Sequence, residues 1–140
     1  MNERYIRQTM IPEIGEAGQE KLKNAKVLIV GIGGLGSPIS IYLTAAGVGQ
    51  IGLIDDDIVS KSNLQRQILY TETEIGQSKV ECACRRLSAL NSSTRFETYP
   101  NRFTSDNADR LVSAYDIIID GCDNAATRYL IDDVCSRFKK

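Results

Sequence analysis

The hexapeptide Gly31-Ile32-Gly33-Gly34-Leu35-Gly36 limits what this chain can fold into more than any other stretch. It fits G-x-G-x-x-G, and its setting gives the pattern meaning. Directly before it lies the apolar run Val27 to Val30. Directly after it, Leu35, Ile39, Tyr42, Leu43 and Ala46 recur at helical spacing, with Ser37-Pro38 suited to a first turn. A strand thus feeds a glycine turn that opens a helix. Such a turn needs positive φ, lets the backbone approach a ligand and lets the helix pack tightly on the strand. Free N–H groups and the dipole at the helix start favour a phosphate. A tight turn without a ligand would carry the same glycines, so the motif gains weight only from its context.

The same alternation continues along the chain. Ile51 to Ile54 forms a second strand, ending in Asp55-Asp56-Asp57, and a polar segment runs from Ser60 to Thr73. Ser78 is placed to cap a helix with Val80, Ala83, Cys84, Leu87 and Leu90 on one face. Thr94 to Thr98 is a weaker third strand, and a helix opens at Thr104 or Ser105 and runs through Ala114. Asp116 to Asp120 is a fourth strand. A last helix starts near Asn124, with Leu130, Ile131, Val134, Cys135 and Phe138 facing inward.

Fully apolar strands alternating with helices imply an α/β fold: a doubly wound, mostly parallel, Rossmann-like sheet covered on both faces. Right-handed crossovers give the strand order 3-2-1-4. Residues 1–25 stand outside the alternation as an N-terminal helical arm, with a polar stretch from Glu3 to Thr9 and a helix near Pro12 to Leu22 weakened by Gly15 and Gly18. Residues 1–140 then form one partial domain. Four strands, an open edge beside the fourth and an ending in Lys139-Lys140 straight out of a helix read as the first part of a longer protein.

Composition removes several function classes. There is no histidine, which excludes His-based acid–base chemistry and His-ligated metal. Lys plus Arg numbers 17 against 18 for Asp plus Glu, giving no basic footprint for nucleic acid or an anionic membrane. No apolar run could span a bilayer, and the N-terminus lacks a signal-peptide core, so a cytoplasmic location is expected. Cys82, Cys84, Cys122 and Cys135 show no CxxC and are expected as free thiols. Cys84 and Cys135 fall on apolar helix faces as small core residues, while Cys122 lies beside the candidate site with little to mark it as an activated thiolate.

The remaining candidates are cations and carboxylates at strand ends. Asp55 can accept hydrogen bonds from both ribose hydroxyls, or it can merely solvate a loop. Asp56 and Asp57 are expected to be solvated loop carboxylates. Asn63 offers a neutral donor and Arg66 a forked cation, both suited to phosphate oxygens. Lys79 sits in a first helical turn, where it opposes the helix dipole; a nearby polyphosphate would account for it. Asp123 lies at the carboxyl edge beside the first strand, where one carboxylate can hold Mg²⁺ together with phosphates and water. Alternatively Asp123 or Asn124 caps the last helix, and both roles coexist if Asn124 caps while Asp123 faces the site.

RYIRQ (Arg4 to Gln8), GIGGLG (Gly31 to Gly36), the strand-end Asp55, SNLQRQ (Ser62 to Gln67), GQSKVE (Gly76 to Glu81) and GCDN (Gly121 to Asn124) occur in order. Together they resemble the ThiF/MoeB/HesA family, the bacterial relatives of ubiquitin-activating enzymes. The resemblance implies ATP-dependent adenylation of the C-terminal Gly-Gly carboxylate of a small ubiquitin-like sulphur-carrier protein, of thiamine or molybdopterin-cofactor type, with release of pyrophosphate. It seats the nucleotide on Gly31, Gly33, Gly34 and Gly36. It gives Asp55 the ribose, Asn63, Arg66 and Lys79 the phosphates, and Asp123 the Mg²⁺. It implies a homodimer in which Arg7 reaches the partner subunit's nucleotide site, so that Arg7, Arg66, Lys79 and Asp123 form the catalytic set. Cys122 departs from the small hydroxyl residue usual at its position. Family members carry a further half with two CxxC pairs that bind Zn²⁺ and the surface that docks the carrier. Neither lies in this chain, which is therefore expected to be weakly active alone.

Two other readings fit fewer residues. An NAD-dependent oxidoreductase explains the glycine turn and Asp55 but leaves Arg66, Lys79 and Asp123 idle. A non-catalytic pseudo-subunit of an activating complex is opposed by the filled ATP-site positions.

Overall fold

The computed structural model describes residues 2–140, so Met1 of the expected arm lies outside it. Four strands, β1 (Lys26–Val30), β2 (Gln50–Ile54), β3 (Arg95–Tyr99) and β4 (Ile117–Asp120), form one parallel sheet in the order β3-β2-β1-β4. This is the topology expected from the sequence, with each strand boundary within one residue. Val27 pairs with Ile51 and Ile117, and Ile51 with Phe96, so one register runs across the sheet.

Side-chain alternation along β1 creates two cores. Val27 and Ile29 point into a cluster with Ile51, Leu53, Val80 and Leu87; Leu28 and Val30 point the other way, onto Leu111, Val112, Ile131 and Val134. Among the described residues there are six α-helices: α1 (Ile6–Thr9) and α2 (Gly15–Asn24) in the arm, and α3 (Gly36–Ala46), α4 (Lys79–Leu90), α5 (Ala108–Ala114) and α6 (Ala125–Phe138) on the faces of the sheet. Burial on both faces is why the central strands β1 and β2 are almost continuously apolar, whereas the edge strand β3 (Arg95–Tyr99) carries Arg95, Glu97 and Thr98.

The arm is bolted to the ends of two helices. Gln8 and Gln19 each donate a side-chain N–H to the carbonyl of Ala46, at 3.1 and 3.0 Å, and Arg4 donates to the carbonyl of Leu90 at 3.1 Å. These satisfy carbonyls left open at the last turns of α3 and α4. Tyr5 is buried, and its hydroxyl accepts from Asn91 Nδ2 at 2.8 Å. The arm therefore sits at the amino edge of the sheet. Its longer helix begins at Gly15 (φ +55°), three residues after Pro12, where the expectation placed the start.

The helix faces depart most from the apolar periodicity of the sequence. In α3 the expected stripe is partly outward: Leu35, just before the helix, and Tyr42 are 57% and 75% exposed, while Gly36, Ser37, Ser40 and Thr44 are buried. Small residues let α3 approach the sheet closely, and two of the buried hydroxyls are occupied: Ser40 donates to Ser37 O at 2.8 Å, and Ser37 Oγ accepts from Leu69 N at 3.0 Å, while Thr44 Oγ1 has no partner among the described residues. In α4 the core cysteine is Cys82, wholly buried; Cys84 and Leu90 lie nearer the surface. Ser78 occupies the N-cap position without a side-chain cap bond, and its backbone forms an isolated bridge with Ile58. Helix α5 starts at Ala108, later than Thr104 or Ser105; Asn107 Oδ1 accepts from Thr104 N at 2.9 Å and holds the preceding residues in a turn.

Candidate functional site

All strands are parallel, so the loops following them gather at one edge. There they enclose a cleft of about 410 Å³, within the range of small-molecule sites. Gly31, Gly33, Gly34, Asp55, Asn63, Arg66, Lys79 and Asp123 all line it. The structure thus brings together eight residues picked from separate segments of the sequence. Gly36 and Arg7 are not among the lining residues. Gly36 serves packing: a Cβ there would collide with the carbonyl of Gly31, whose own φ is +89°. Arg7 is exposed on α1, at the amino edge of the sheet.

The glycine turn is held from two sides. Asp55 Oδ2 accepts from Ile32 N at 2.8 Å, and the Tyr70 hydroxyl donates to Ile32 O at 2.6 Å. Burial, and then the neighbouring Asp55 charge, push the Tyr70 hydroxyl well above its ordinary value, so it stays protonated and donating. The second oxygen of Asp55 accepts from Asp57 N at 2.9 Å. Each carboxylate oxygen keeps acceptor capacity for a ribose hydroxyl.

On the wall after β2, Asn63 Oδ1 is taken by Ser60 N at 3.0 Å and Ser60 Oγ at 2.9 Å. That leaves the NH₂ end of the amide as its outward chemistry, the neutral donor expected. Arg66 Nη1 donates to Ser62 O at 3.1 Å, and its Nε lies 3.7 Å from where a Cβ on Gly34 would stand. The guanidinium therefore lies over the glycine turn. Lys79, with a side chain only 4% exposed, donates to Asp57 Oδ2 at 3.0 Å. This corrects the reading of Asp57 as a merely solvated loop residue: its carboxylate is the counter-ion of a buried ammonium. Partial burial raises the Asp57 carboxyl, but hydrogen bonds from Lys79 and the Ile58 N–H, with the Lys79 charge, outweigh it and hold the group below its ordinary value.

The loop after β4 is braced by Asp120. Its Oδ1 accepts from Cys122 N at 3.0 Å and from Cys122 Sγ at 2.7 Å, while Arg128 Nε donates to Oδ2 at 3.1 Å. Burial, followed by the bond to Asp120, raises the Cys122 thiol, so Cys122 is a protonated structural group. Asn124 Oδ1 accepts from Thr127 N at 2.9 Å and caps α6, leaving the exposed Asp123 to face the cleft. Among the described residues no group of three or more acidic, Cys or His side chains converges as a metal centre. A single cleft-facing carboxylate fits Mg²⁺ held chiefly by phosphates and water. The sequence reading missed Asn101, Arg102 and Phe103, which complete the cleft after β3; the rule that ligands bind at the carboxyl ends of parallel strands could have marked them.

A parallel sheet with a glycine turn, a strand-end carboxylate and cations over one carboxyl-edge cleft defines a Rossmann-like nucleotide-binding domain. Residues 5–140 match the ThiF family, and the chain belongs to that family. A sulfur carrier protein adenylyltransferase from Thermus thermophilus is 50% identical over 131 residues, 94% of this chain and 48% of that protein. The adenylyltransferase and sulfurtransferase MOCS3 of Culex quinquefasciatus is 51% identical over 137 residues, 98% of this chain and 31% of that protein. The chain thus spans about half or less of the length of these curated relatives. Among solved structures, the E. coli tRNA N6-threonylcarbamoyladenosine dehydratase TcdA in complex with ATP aligns with a TM-score of 0.90 at 30% identity, covering 97% of this chain and 56% of that one.

Proposed function

We propose that the protein adenylates the C-terminal carboxylate of a small sulphur-carrier protein with MgATP, releasing pyrophosphate. The observation that carries this is the convergence of Arg66, the Lys79 ammonium and Asp123 around the glycine turn in one cleft. Two separate likenesses support it: to a sulfur carrier protein adenylyltransferase, and to a tRNA N6-threonylcarbamoyladenosine dehydratase solved in complex with ATP.

A chain-terminal carboxylate, with an ordinary pKa of about 3.3–3.7, is ionised at pH 7 and needs no general base. Its oxygen forms a bond to the α-phosphorus; the bond from that phosphorus to the α,β-bridging oxygen breaks, and pyrophosphate leaves with the electron pair. No proton moves, so the absence of histidine is no obstacle. The difficulty is bringing an anion to a polyanion, and catalysis consists of positioning and preplaced positive charge. The glycine-turn N–H groups, Asn63, Arg66 and Lys79 supply that charge and those donors, and Asp55 orients the ribose. Mg²⁺ at Asp123 would neutralise phosphate charge. In the homodimer of this reading, Arg7 serves the partner subunit's cleft, which accords with its exposure away from its own. The carrier is of thiamine or molybdopterin-cofactor type, and the reaction is cytoplasmic.

ATP–pyrophosphate exchange by the full-length protein with its carrier tests the assignment. Arg66→Ala or Lys79→Ala is expected to slow exchange by about 10²–10³-fold, the scale of one lost transition-state donor; unchanged exchange rejects the roles. Calorimetric titration with NAD in place of MgATP is expected to give no comparable binding.

A further inference from the structure

We propose that Gln67 contacts the nucleotide directly, its side-chain N–H donating to a phosphate oxygen seated on the glycine turn. The assignment rests on the nucleotide-binding reading above and adds a residue to it. Gln67 is only 4% exposed, yet its Oε1 has no hydrogen-bond partner among the described residues. The same side chain forms part of the cleft wall, with Nε2 3.4 Å from where a Cβ on Gly33 would stand. The amide thus has its buried end unsatisfied and its donor end against the turn that would cradle the phosphates.

The backbone fixes this placement. Gln67 N donates to Asn63 O at 2.9 Å, Tyr70 N donates to Gln67 O at 3.2 Å, and Leu69 N donates to Ser37 Oγ at 3.0 Å. An orphan buried acceptor carries a desolvation cost that an apolar side chain of the same shape would not. A fold gains nothing from that cost unless the other end of the amide is used. Donation to a phosphate oxygen uses it, because hydrogen bonds to charged acceptors are roughly twice as strong as neutral ones. An amide also suits the position electrostatically. It supplies a donor from a buried side chain without the penalty of burying a second cation in a cleft that already holds Lys79.

The test is titration of the full-length protein and its Gln67→Met and Gln67→Glu variants with ATP and with adenosine, alongside thermal melting of each free protein. Gln67→Met is expected to weaken ATP binding by about 10- to 100-fold. Adenosine affinity should stay within about twofold, and the free variant should melt no lower than the parent, since the orphan acceptor is gone. Gln67→Glu, which keeps the shape but replaces the donor with a negative charge, should weaken ATP at least as much. Equal ATP affinity in parent and variants overturns the assignment while leaving the nucleotide reading intact. So does a variant that loses ATP and adenosine equally and melts lower, which makes Gln67 a residue of the fold alone. A parent that does not bind ATP overturns both readings.

Discussion

The pairing of Lys79 with Asp57 predicts an unequal response to loss of its two members. The lysine side chain is 4% exposed and the aspartate side chain 59% exposed. Asp57→Ala leaves a buried ammonium without its carboxylate. Breaking a fully buried pair costs about 3–5 kcal/mol and losing an exposed one about 0–1 kcal/mol. Water around Asp57 screens this pair, so a destabilisation of about 1–2 kcal/mol is expected, or a Tm about 3–10 °C lower for a domain of this size. Lys79→Met instead leaves Asp57 free to return to water and fills the wall with an apolar chain, so stability should change by less than about 0.5 kcal/mol or rise. Adding Lys79→Met to Asp57→Ala should therefore restore most of the loss, a double-mutant cycle readable by urea unfolding. The pH dependence has a definite sign. The Asp57 carboxyl is held below its ordinary value of 3.8, so the contribution is complete above that value and disappears as pH falls through the lower folded one. Equal costs for the two single changes, or no recovery in the double variant, would refute the argument that a stranded buried charge is what matters.

Three further outcomes follow from the geometry. Gly36→Ala forces a Cβ into the carbonyl of Gly31 and should cost about 2–4 kcal/mol in denaturant unfolding. Gly47→Ala meets both a φ of +92° and the Tyr5 ring, 2.7 Å from the new Cβ; hydrogen exchange should show the arm over residues 3–24 losing protection before the sheet does. Cys122, its thiol raised by burial and by Asp120, should alkylate about tenfold or more slowly than an unfolded-chain cysteine at pH 8, with the rate climbing at higher pH. Rapid modification at pH 7 would contradict that account.

The features legible in the sequence are those written by neighbours along the chain. Val27 to Val30 followed by Gly31 declares a strand entering a glycine turn, and Ile117 to Ile119 declares another apolar strand. Right-handed crossovers then lead to 3-2-1-4, the order observed. The gathering of Asp55, Arg66, Lys79 and Asp123 in one cleft was legible for the same reason: each lies in a segment after a strand or opens a helix, and all strand ends face one edge. Helix faces were less legible. Periodicity marks apolar residues, whereas α3 buries Ser37, Ser40 and Thr44 because small side chains allow closer approach to the sheet.

Local pattern by itself determined the element types, their order and the edge at which a ligand could sit, since each depends on residues within a turn or two of one another. Tertiary structure alone decided which of three consecutive aspartates neutralises Lys79, that the arm closes the ends of α3 and α4, and that Gln67 is buried against the glycine turn. Each of these is a contact between segments distant along the chain. It exists because parallel strands bring their following loops to one rim and the preceding helix ends to the other.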